Sequence, residues 1–479
     1  MGKNYTSFCP FEVKPMDKYE IAIIGSGPAG YVGAIKAARA GVPTCIIEKG
    51  EFGGVCLNIG CIPTKAMVAS AKMLRNARRS SEFSVKIDGA ILASLEDFYR
   101  RKDRIVEVEK KGLINLVESS GAVIKKGHAS FLDNNTIKIT SDGFEEIIHA
   151  KNIVIATGSK PAALPFLPFD GVKVLSSDNM LNLDKLPKSL LVIGGGYIGC
   201  EFASIFSALG TKVTIVEALP HILPNMDDDI AKVLDREFRK EKIEIHTNSK
   251  IVEAKISDVV TITLEDGADI SAEMALVSIG RRALIDGLGL ENTGVSMLPQ
   301  GIIKVNNQMR TDVSNIFAVG DVIGNPMLAH VASAECKVAI ANALGNHFIM
   351  DYSVIPSGVF TYPEIGSVGL TENAARQMGM DVKVGSIQLR KIGISHASGE
   401  IIGLAKIVTD AISDKIVGAH IIGERATDLI HEVAAAMFQG MTSSMLGRMI
   451  HSHPSFSEVI AEAAQDVSGE AIYETRKAA

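Results

Sequence analysis

Residues 19–50, YEIAIIGSGPAGYVGAIKAARAGVPTCIIEKG, and residues 189–218, SLLVIGGGYIGCEFASIFSALGTKVTIVEA, follow one plan. Each has an apolar β-branched run, a glycine-rich turn, a small-residue stretch at helical spacing, a second apolar run and a terminal acid. Such a unit folds as strand, tight turn, helix and parallel strand. The glycines are Gly25, Gly27 and Gly30 in the first copy and Gly194, Gly196 and Gly199 in the second. The acids are Glu48 and Glu217, at the same interval from the first glycine. The first glycine makes the turn, the second lets a pyrophosphate approach the backbone, and the third lets helix pack on strand. The acid then accepts from an adenosine ribose. One such match is only a tight turn of some α/β protein. Two, with equal acid spacing, imply two bound dinucleotides. A carboxylate accepts from a 2′-hydroxyl and repels a 2′-phosphate. Residues 217–222, EALPHI, hold no arginine, so the second site is read as one for NAD rather than NADP.

The chain has 479 residues, room for about three domains. Its net charge of −6 shows no basic run, which argues against nucleic acid. Six cysteines do not make a secreted disulfide framework. The start, MGKNYTSFCPFEVKPMDKYE, lacks a charged head followed by an apolar core, lacks arginine and carries acids. It reads as neither a secretory signal nor a transit peptide; residues 1–16 are taken as a short extension ahead of a second start at Met16. The most membrane-like stretch, 190–210, carries a glutamate and several glycines and reads better as strand, turn and helix. No membrane association is expected. The expected location is the cytoplasm, or the mitochondrial matrix for a processed chain.

Residues 53–65 read GGVCLNIGCIPTK. On a regular helix, residues five apart rise about 7.5 Å and point to different sides, too far for ready disulfide formation. Gly60 relaxes the backbone between Cys56 and Cys61, and Pro63 removes a donor. The stretch therefore reads as a distorted turn opening into the helix TKAMVASAKMLRNARR. A thiol at a helix start has a lowered pKa. The competing readings are two packed thiols or half a metal site. Cys9, Cys45, Cys200 and Cys336 stand singly, so no further cysteine ligand is offered at metal spacing, and no metal is expected. A dithiol beside two dinucleotide turns suggests electrons passing between thiols, a flavin and a nicotinamide.

GGVCLNIGCIPTK resembles the active-site stretch of the flavoprotein disulfide reductases, above all of those that oxidise dihydrolipoyl groups. The likeness covers nearly the whole chain. GSGPAG resembles the flavin fingerprint, IVIATGS (153–159, with Thr157 and Gly158) the strand before the nicotinamide domain, and GGGYIGCE, with Ile198, its fingerprint. NIFAVGDV (315–322) resembles the strand whose aspartate, here Asp321, holds the ribityl chain of FAD. MLAH (327–330, with Ala329) resembles the turn beneath the flavin, FTYPEIGSVGLTE (360–372) the opening of a dimerisation domain, and HSHPSFSE (451–458) a histidine–glutamate site. After Gly280 and Arg281 the pattern departs: relatives carry proline and asparagine near Ala283 and Leu284, in a loop that contacts cofactor.

A neutral imidazole is the natural proton acceptor near pH 7, and a carboxylate can fix its tautomer. His453 and Glu458 offer that pair. Ser455-Phe-Ser-Glu458 also fits a capping box, which would give Glu458 a purely structural task. Lys65 and Glu201 interrupt apolar pattern. Buried charges pair, although snorkelling to solvent is the plain alternative. The resemblance implies that His453 and Glu458 are catalytic and that Lys65 and Glu201 pair beside the flavin.

The expected fold is α/β, with two Rossmann-like dinucleotide-binding domains and a C-terminal α+β dimerisation domain. The expected segments are 1–157 for FAD, 158–284 for NAD, 285–354 completing the FAD domain and 355–479 for the interface. The implied reaction is oxidation of protein-bound dihydrolipoyl groups through Cys56, Cys61 and FAD to NAD+, in a homodimer. The implied partners are lipoyl-bearing proteins of 2-oxo acid dehydrogenase or glycine cleavage complexes.

Overall fold

The computed structural model describes residues 17–324 and 326–474; the expected extension, 1–16, lies outside them. The chain divides into two compact units. One comprises the described residues up to Gly54 with Gly112–Gly158 and Ala283–Met350. The other comprises Val55–Lys111, Ser159–Arg282 and the described residues from Asp351 onward.

In the first unit the first copy of the repeat forms strand Asp17–Ile24, helix Pro28–Arg39 and strand Thr44–Glu48. The strands pair in parallel, Ile21 opposite Thr44 and Ile24 opposite Ile47. Parallel neighbours cannot be joined by a hairpin, so the helix makes the crossover. The sheet runs Val123–Lys126, Thr44–Glu48, Asp17–Ile24, Phe144–Ile155, then Thr136–Ser141 and His128–Phe131, with Ile316–Ala318 also paired to Phe144–Ile155. Strands buried on both faces read as continuous apolar runs; Ile21, Ile23, Ile46 and Phe317 are fully buried. Helix Ala329–Ala343 lies so close to helix Pro28–Arg39 that a Cβ at Gly33 would fall 2.4 Å from the Cys336 sulfur.

In the second unit the second copy forms strand Ser189–Ile193, helix Tyr197–Leu209 and strand Lys212–Val216. Its parallel sheet is ordered Glu244–His246, Lys212–Val216, Ser189–Ile193, Met274–Val277, Val174–Leu175. The stretch expected as strand, turn and helix at 190–210 is therefore that. A three-stranded antiparallel sheet follows, Ile251–Ile256, Val260–Leu264 and Asp269–Ala272. The C-terminal part is a five-stranded antiparallel sheet, Pro356–Val359, Ile365–Gly369, Ile416–Ile422, Leu404–Asp410 and Val382–Gln388. Helices Ala426–Phe438 and Glu458–Asp466 share its apolar core through Ile430, Val433, Val459 and Ile460.

Residues Gly54–Arg78 are apolar and long enough by composition to cross a membrane, yet they are two helices, Gly54–Ile59 and Cys61–Arg78. Met67, Ala71 and Leu74 of the second helix join the core of Phe202 and Phe206. That helix begins at Cys61, ahead of the expected start at Thr64. Pro63 then falls in the first turn, where no intrahelical N–H bond is required.

Candidate active site

The two glycine turns repeat each other atom for atom in what their glycines avoid. Gly25 and Gly194 adopt φ of +103° and +98°, a region that side chains disfavour. A Cβ there would fall 2.3 Å from the Ala156 carbonyl oxygen in one copy and 2.6 Å from that of Ser278 in the other. A Cβ on Gly30 or Gly199 would fall 1.8 or 2.1 Å from the carbonyl oxygen of Gly25 or Gly194. Gly27 and Gly196 differ: nothing lies within 4 Å of an added Cβ. The first and third glycines thus serve the protein's own packing. The second faces open space at a helix N-terminus that no side chain caps, which suits a pyrophosphate.

Each acid already holds its turn. Glu48 Oε2 accepts from the Ser26 N–H at 2.8 Å and the Ser26 hydroxyl at 2.7 Å, and Oε1 accepts from the Gly50 N–H at 2.7 Å. Glu217, 8% exposed, accepts from the Gly195 N–H at 2.7 Å and the Leu219 N–H at 2.9 Å. His221, the one ionisable side chain between Glu217 and Ile222, lies against Asp228, Nε2 to Oδ1 3.3 Å. The ring therefore faces an acid rather than standing ready for a 2′-phosphate.

The other residues expected to meet cofactor lie in both units. In the first unit, the Thr157 hydroxyl is buried with no hydrogen-bond partner among the described residues. Gly158 adopts φ +75°. Helix Ala329–Ala343 opens at Leu328 without a side-chain cap. Asp321 sits half-buried in a single turn, Gly320–Ile323. An orphaned hydroxyl, an uncapped helix and the open Gly27 turn fit a dinucleotide bound here. In the second unit Ile198 is half-buried beside Gly199, and the Gly280 carbonyl accepts from the Ala162 N–H at 3.0 Å. The atypical loop is ordered: Arg281 binds Ser159 through its hydroxyl at 2.7 Å and its carbonyl at 3.0 Å, and the Leu284 N–H donates to Gly158 at 2.9 Å.

Gly60 breaks the dithiol segment between its two helices. A Cβ there would fall 2.9 Å from the Val55 carbonyl oxygen. Its own carbonyl accepts from the Thr64 hydroxyl at 2.6 Å and the Thr64 N–H at 3.1 Å. The break replaces the divergent geometry of a continuous helix and brings the two sulfurs into hydrogen-bond contact. That contact polarises the pair. Cys61, accepting from Cys56 and opening the helix near Lys65, is pushed down to about 7 against the cost of burial. Cys56, the donor, is held far above the usual thiol range by that bond and by burial. Lys65 Nζ binds both oxygens of Glu201, at 2.9 and 2.8 Å, and Glu201 is 5% exposed. Phe360, which the sequence reading left without a role, completes the arrangement. Its N–H donates to Glu201 at 2.9 Å, and its ring lies under the Lys65 ammonium, 4.6 Å from the centroid. Nothing local in the sequence signals it, because the contact spans distant segments.

His453 Nδ1 lies 2.7 Å from Glu458 Oε1. An ionised carboxylate only accepts, so Nδ1 carries a proton, and in the neutral imidazole Nε2 keeps its lone pair. The imidazole is 70% exposed, and the His453–Pro454 bond is cis. Glu458 Oε2 accepts from the Ser455 N–H at 2.9 Å. Half of the capping box therefore forms. The Ser455 hydroxyl does not cap: it is buried without a partner among the described residues, and the helix begins at Glu458 with Ser457 before it. Burial works against ionisation of Glu458, but the His453 and Ser455 bonds hold its carboxyl below the usual range. His451 makes a second such pair, with Glu432 at 2.7 Å.

Residues 19–336 match the pyridine nucleotide-disulphide oxidoreductase family, and residues 355–464 match that family's dimerisation domain. Similar proteins include the dihydrolipoyl dehydrogenases of Bacillus subtilis, 40% identical over 473 residues with 95% of this chain and 99% of that one covered, and of Chlamydia pneumoniae, 39% identical over 448 residues with 93% and 96% covered. Among solved structures, LpdA from Mycobacterium tuberculosis superposes with a TM-score of 0.87 at 28% identity, covering 94% of this chain and 99% of that one. The flavoprotein disulfide reductase RclA from Escherichia coli reaches 0.85 at 29% identity, covering 94% and 99%.

Proposed function

The chain belongs to the pyridine nucleotide-disulphide oxidoreductase family, and on that premise we propose that it is an NAD-dependent dihydrolipoyl dehydrogenase. The observation that carries the proposal is the helix break at Gly60, which sets Cys56 and Cys61 on separate helices, together with the His453–Glu458 bond at 2.7 Å. In the oxidised enzyme the two sulfurs form the disulfide. A substrate thiol gives its proton to His453 Nε2, and the resulting thiolate attacks Cys56. The Cys56–Cys61 bond breaks and Cys61 leaves as thiolate, since the lower-pKa sulfur is the better leaving group. The second substrate thiol attacks the first substrate sulfur, closing the lipoyl ring. Cys56 is released and takes the first proton from His453, whose freed Nε2 accepts the proton of the second substrate thiol and passes it to solvent. Glu458 holds the imidazole in the accepting tautomer throughout.

FAD, when bound, supplies the two-electron carrier that returns the dithiol to disulfide at the expense of NAD+. Gly25, Gly27, Gly30, Glu48, Thr157, Gly158, Asp321 and Ala329 would hold it. Gly194, Gly196, Ile198, Gly199, Glu217 and Gly280 would hold NAD, and Lys65 with Glu201 would lie beside the flavin and tune its potential and nicotinamide access. The segments 1–157, 158–284, 285–354 and 355–479 are read as FAD, NAD, central and interface regions of a cytoplasmic homodimer. Each site would draw its base from His453 of the partner subunit. The partners are lipoyl-bearing proteins of 2-oxo acid dehydrogenase or glycine cleavage complexes. The test is turnover of dihydrolipoamide with NAD+ beside turnover of glutathione disulfide with NADPH. The proposal requires the first to dominate; the reverse order would overturn it.

A further inference from the structure

Lys406 lies on strand Leu404–Asp410, outside either nucleotide fold, and is 3% exposed. Its ammonium contacts three carboxylates: Asp227 at 2.9 Å, Asp229 at 2.7 Å and Glu372 at 2.9 Å. A buried ammonium is tolerated only when paired and fully bonded. Burial opposes its charge, yet the three carboxylates raise its pKa further above the lysine range.

Asp227, 2% exposed, is the most engaged of the three. One oxygen caps helix Asp228–Lys240 through the Asp229 N–H at 3.1 Å, and the other accepts from the Glu372 N–H at 3.3 Å. Asp227 also ends a segment that begins at Glu217. The Leu223 N–H of that segment donates to the Gly195 carbonyl at 2.7 Å. Its Ile222 packs on Gly195, so closely that a Cβ there would fall 3.0 Å from the isoleucine. Leu223 adopts φ +52° and is fully buried. The segment thus lies along the second glycine turn, fixed at one end by strand Lys212–Val216 and at the other by Asp227 on Lys406.

We propose that Lys406 is a positioning residue for the nicotinamide dinucleotide: it fixes, through Asp227, the 217–227 segment that shapes the adenosine end of that site. The inference rests on the NAD reading of the second turn. Without the ammonium, three acids would face one another, two of them on the first turn of one helix or its cap. The segment would lose its far anchor, while the dithiol and the His453–Glu458 pair would keep all their own contacts.

The experiment compares wild-type holoenzyme with Lys406→Met, Asp227→Asn and Glu372→Gln, measuring KM for NAD+ and for dihydrolipoamide, NAD+ binding by calorimetry, and Tm. Asparagine caps helices well, so Asp227→Asn folds even if Lys406→Met does not. The expected result for Lys406→Met is a rise of about tenfold in KM and Kd for NAD+, with KM for dihydrolipoamide within about twofold. Asp227→Asn should raise KM for NAD+ less. Glu372→Gln, which removes a Lys406 partner but no anchor of the segment, should lower Tm and leave NAD+ binding unchanged. The inference is overturned if Lys406→Met or, should that variant not fold, Asp227→Asn leaves NAD+ binding unchanged. It is also overturned if Glu372→Gln weakens binding as much, since that would mark a general loss of stability. Failure of the wild-type protein to reduce NAD+ would instead remove the NAD reading beneath it.

Discussion

Cys61 should titrate as a single thiolate near pH 7. An ordinary thiol near 9.0 would be only about 1% ionised at pH 7, whereas one held at about 7 is about half ionised. The largest cause is the hydrogen bond from Cys56; Lys65 adds to it, and burial and Glu201 oppose it. The sign follows: the thiolate is present above the lowered midpoint and lost as pH falls through it. Because Cys56 keeps its proton far above that range, one thiolate equivalent, not two, should develop between pH 6 and 9. The assay is ultraviolet thiolate absorbance of the anaerobically reduced enzyme, taken as a difference against Cys61→Ser. Burial pushes Cys45 and Cys200 well above the usual range and Cys336 up to about 12, so these stay silent. Cys56→Ala removes the principal donor and should move the midpoint up by about two pH units, since burial then acts with less opposition. Lys65→Met should move it up by less, and Glu201→Gln down. Two equivalents rising together near 9, or a Cys56→Ala midpoint still near 7, would refute the polarised pair.

Three further outcomes are expected. Gly196→Val should fold normally, because its Cβ meets open space, and lose NAD+ binding, whereas Gly199→Val should lower Tm by colliding with the Gly194 carbonyl; melting curves beside NAD+ titrations separate them. His453→Gln should lower turnover about 10³-fold by removing the proton acceptor, and Glu458→Gln should lower it less while altering its pH profile, both read from steady-state kinetics. Co-expressed Cys56→Ser and His453→Gln chains should recover about a quarter of wild-type activity, since random assembly makes half the dimers mixed and gives each mixed dimer one intact site. Recovery no greater than the residual activities of the parents, with mixed dimers demonstrated, would remove the shared site.

The fold and most of the site were legible where a local rule forces a residue type. The glycines at 25 and 194 are read from sequence because the tight turn needs a positive φ, and those at 30 and 199 because any side chain there would strike the backbone of the same turn. The break at Gly60 was legible for the same reason. His453 with Glu458 lies on one short stretch, so that pair could be named, but the detail of the cap could not. Ser455 satisfies the capping pattern, and only the packed loop decides that Glu458 serves the imidazole and the Ser455 N–H together while the Ser455 hydroxyl does not cap. The anchor of the 217–227 segment was not legible at all, because its bonds run between residues 227, 372 and 406.

Lys65 and Lys406 show where that limit falls. Both are charges set among apolar neighbours, both end against buried carboxylates, and both announce themselves in sequence by breaking the pattern. For Lys65 the partner could be named, since Glu201 breaks a second apolar run beside a motif whose place in the fold was already fixed. Lys406 has no such counterpart. Asp227 stands in NMDDDI among other acids, where its charge looks like an exposed helix start, and it becomes unusual only through burial. A buried charge whose partner sits in an acidic cluster is therefore predictable as a need but not as a pair. The structure adds which of three neighbouring aspartates is enclosed, and that choice ties a strand of the C-terminal sheet to the segment beside the second glycine turn.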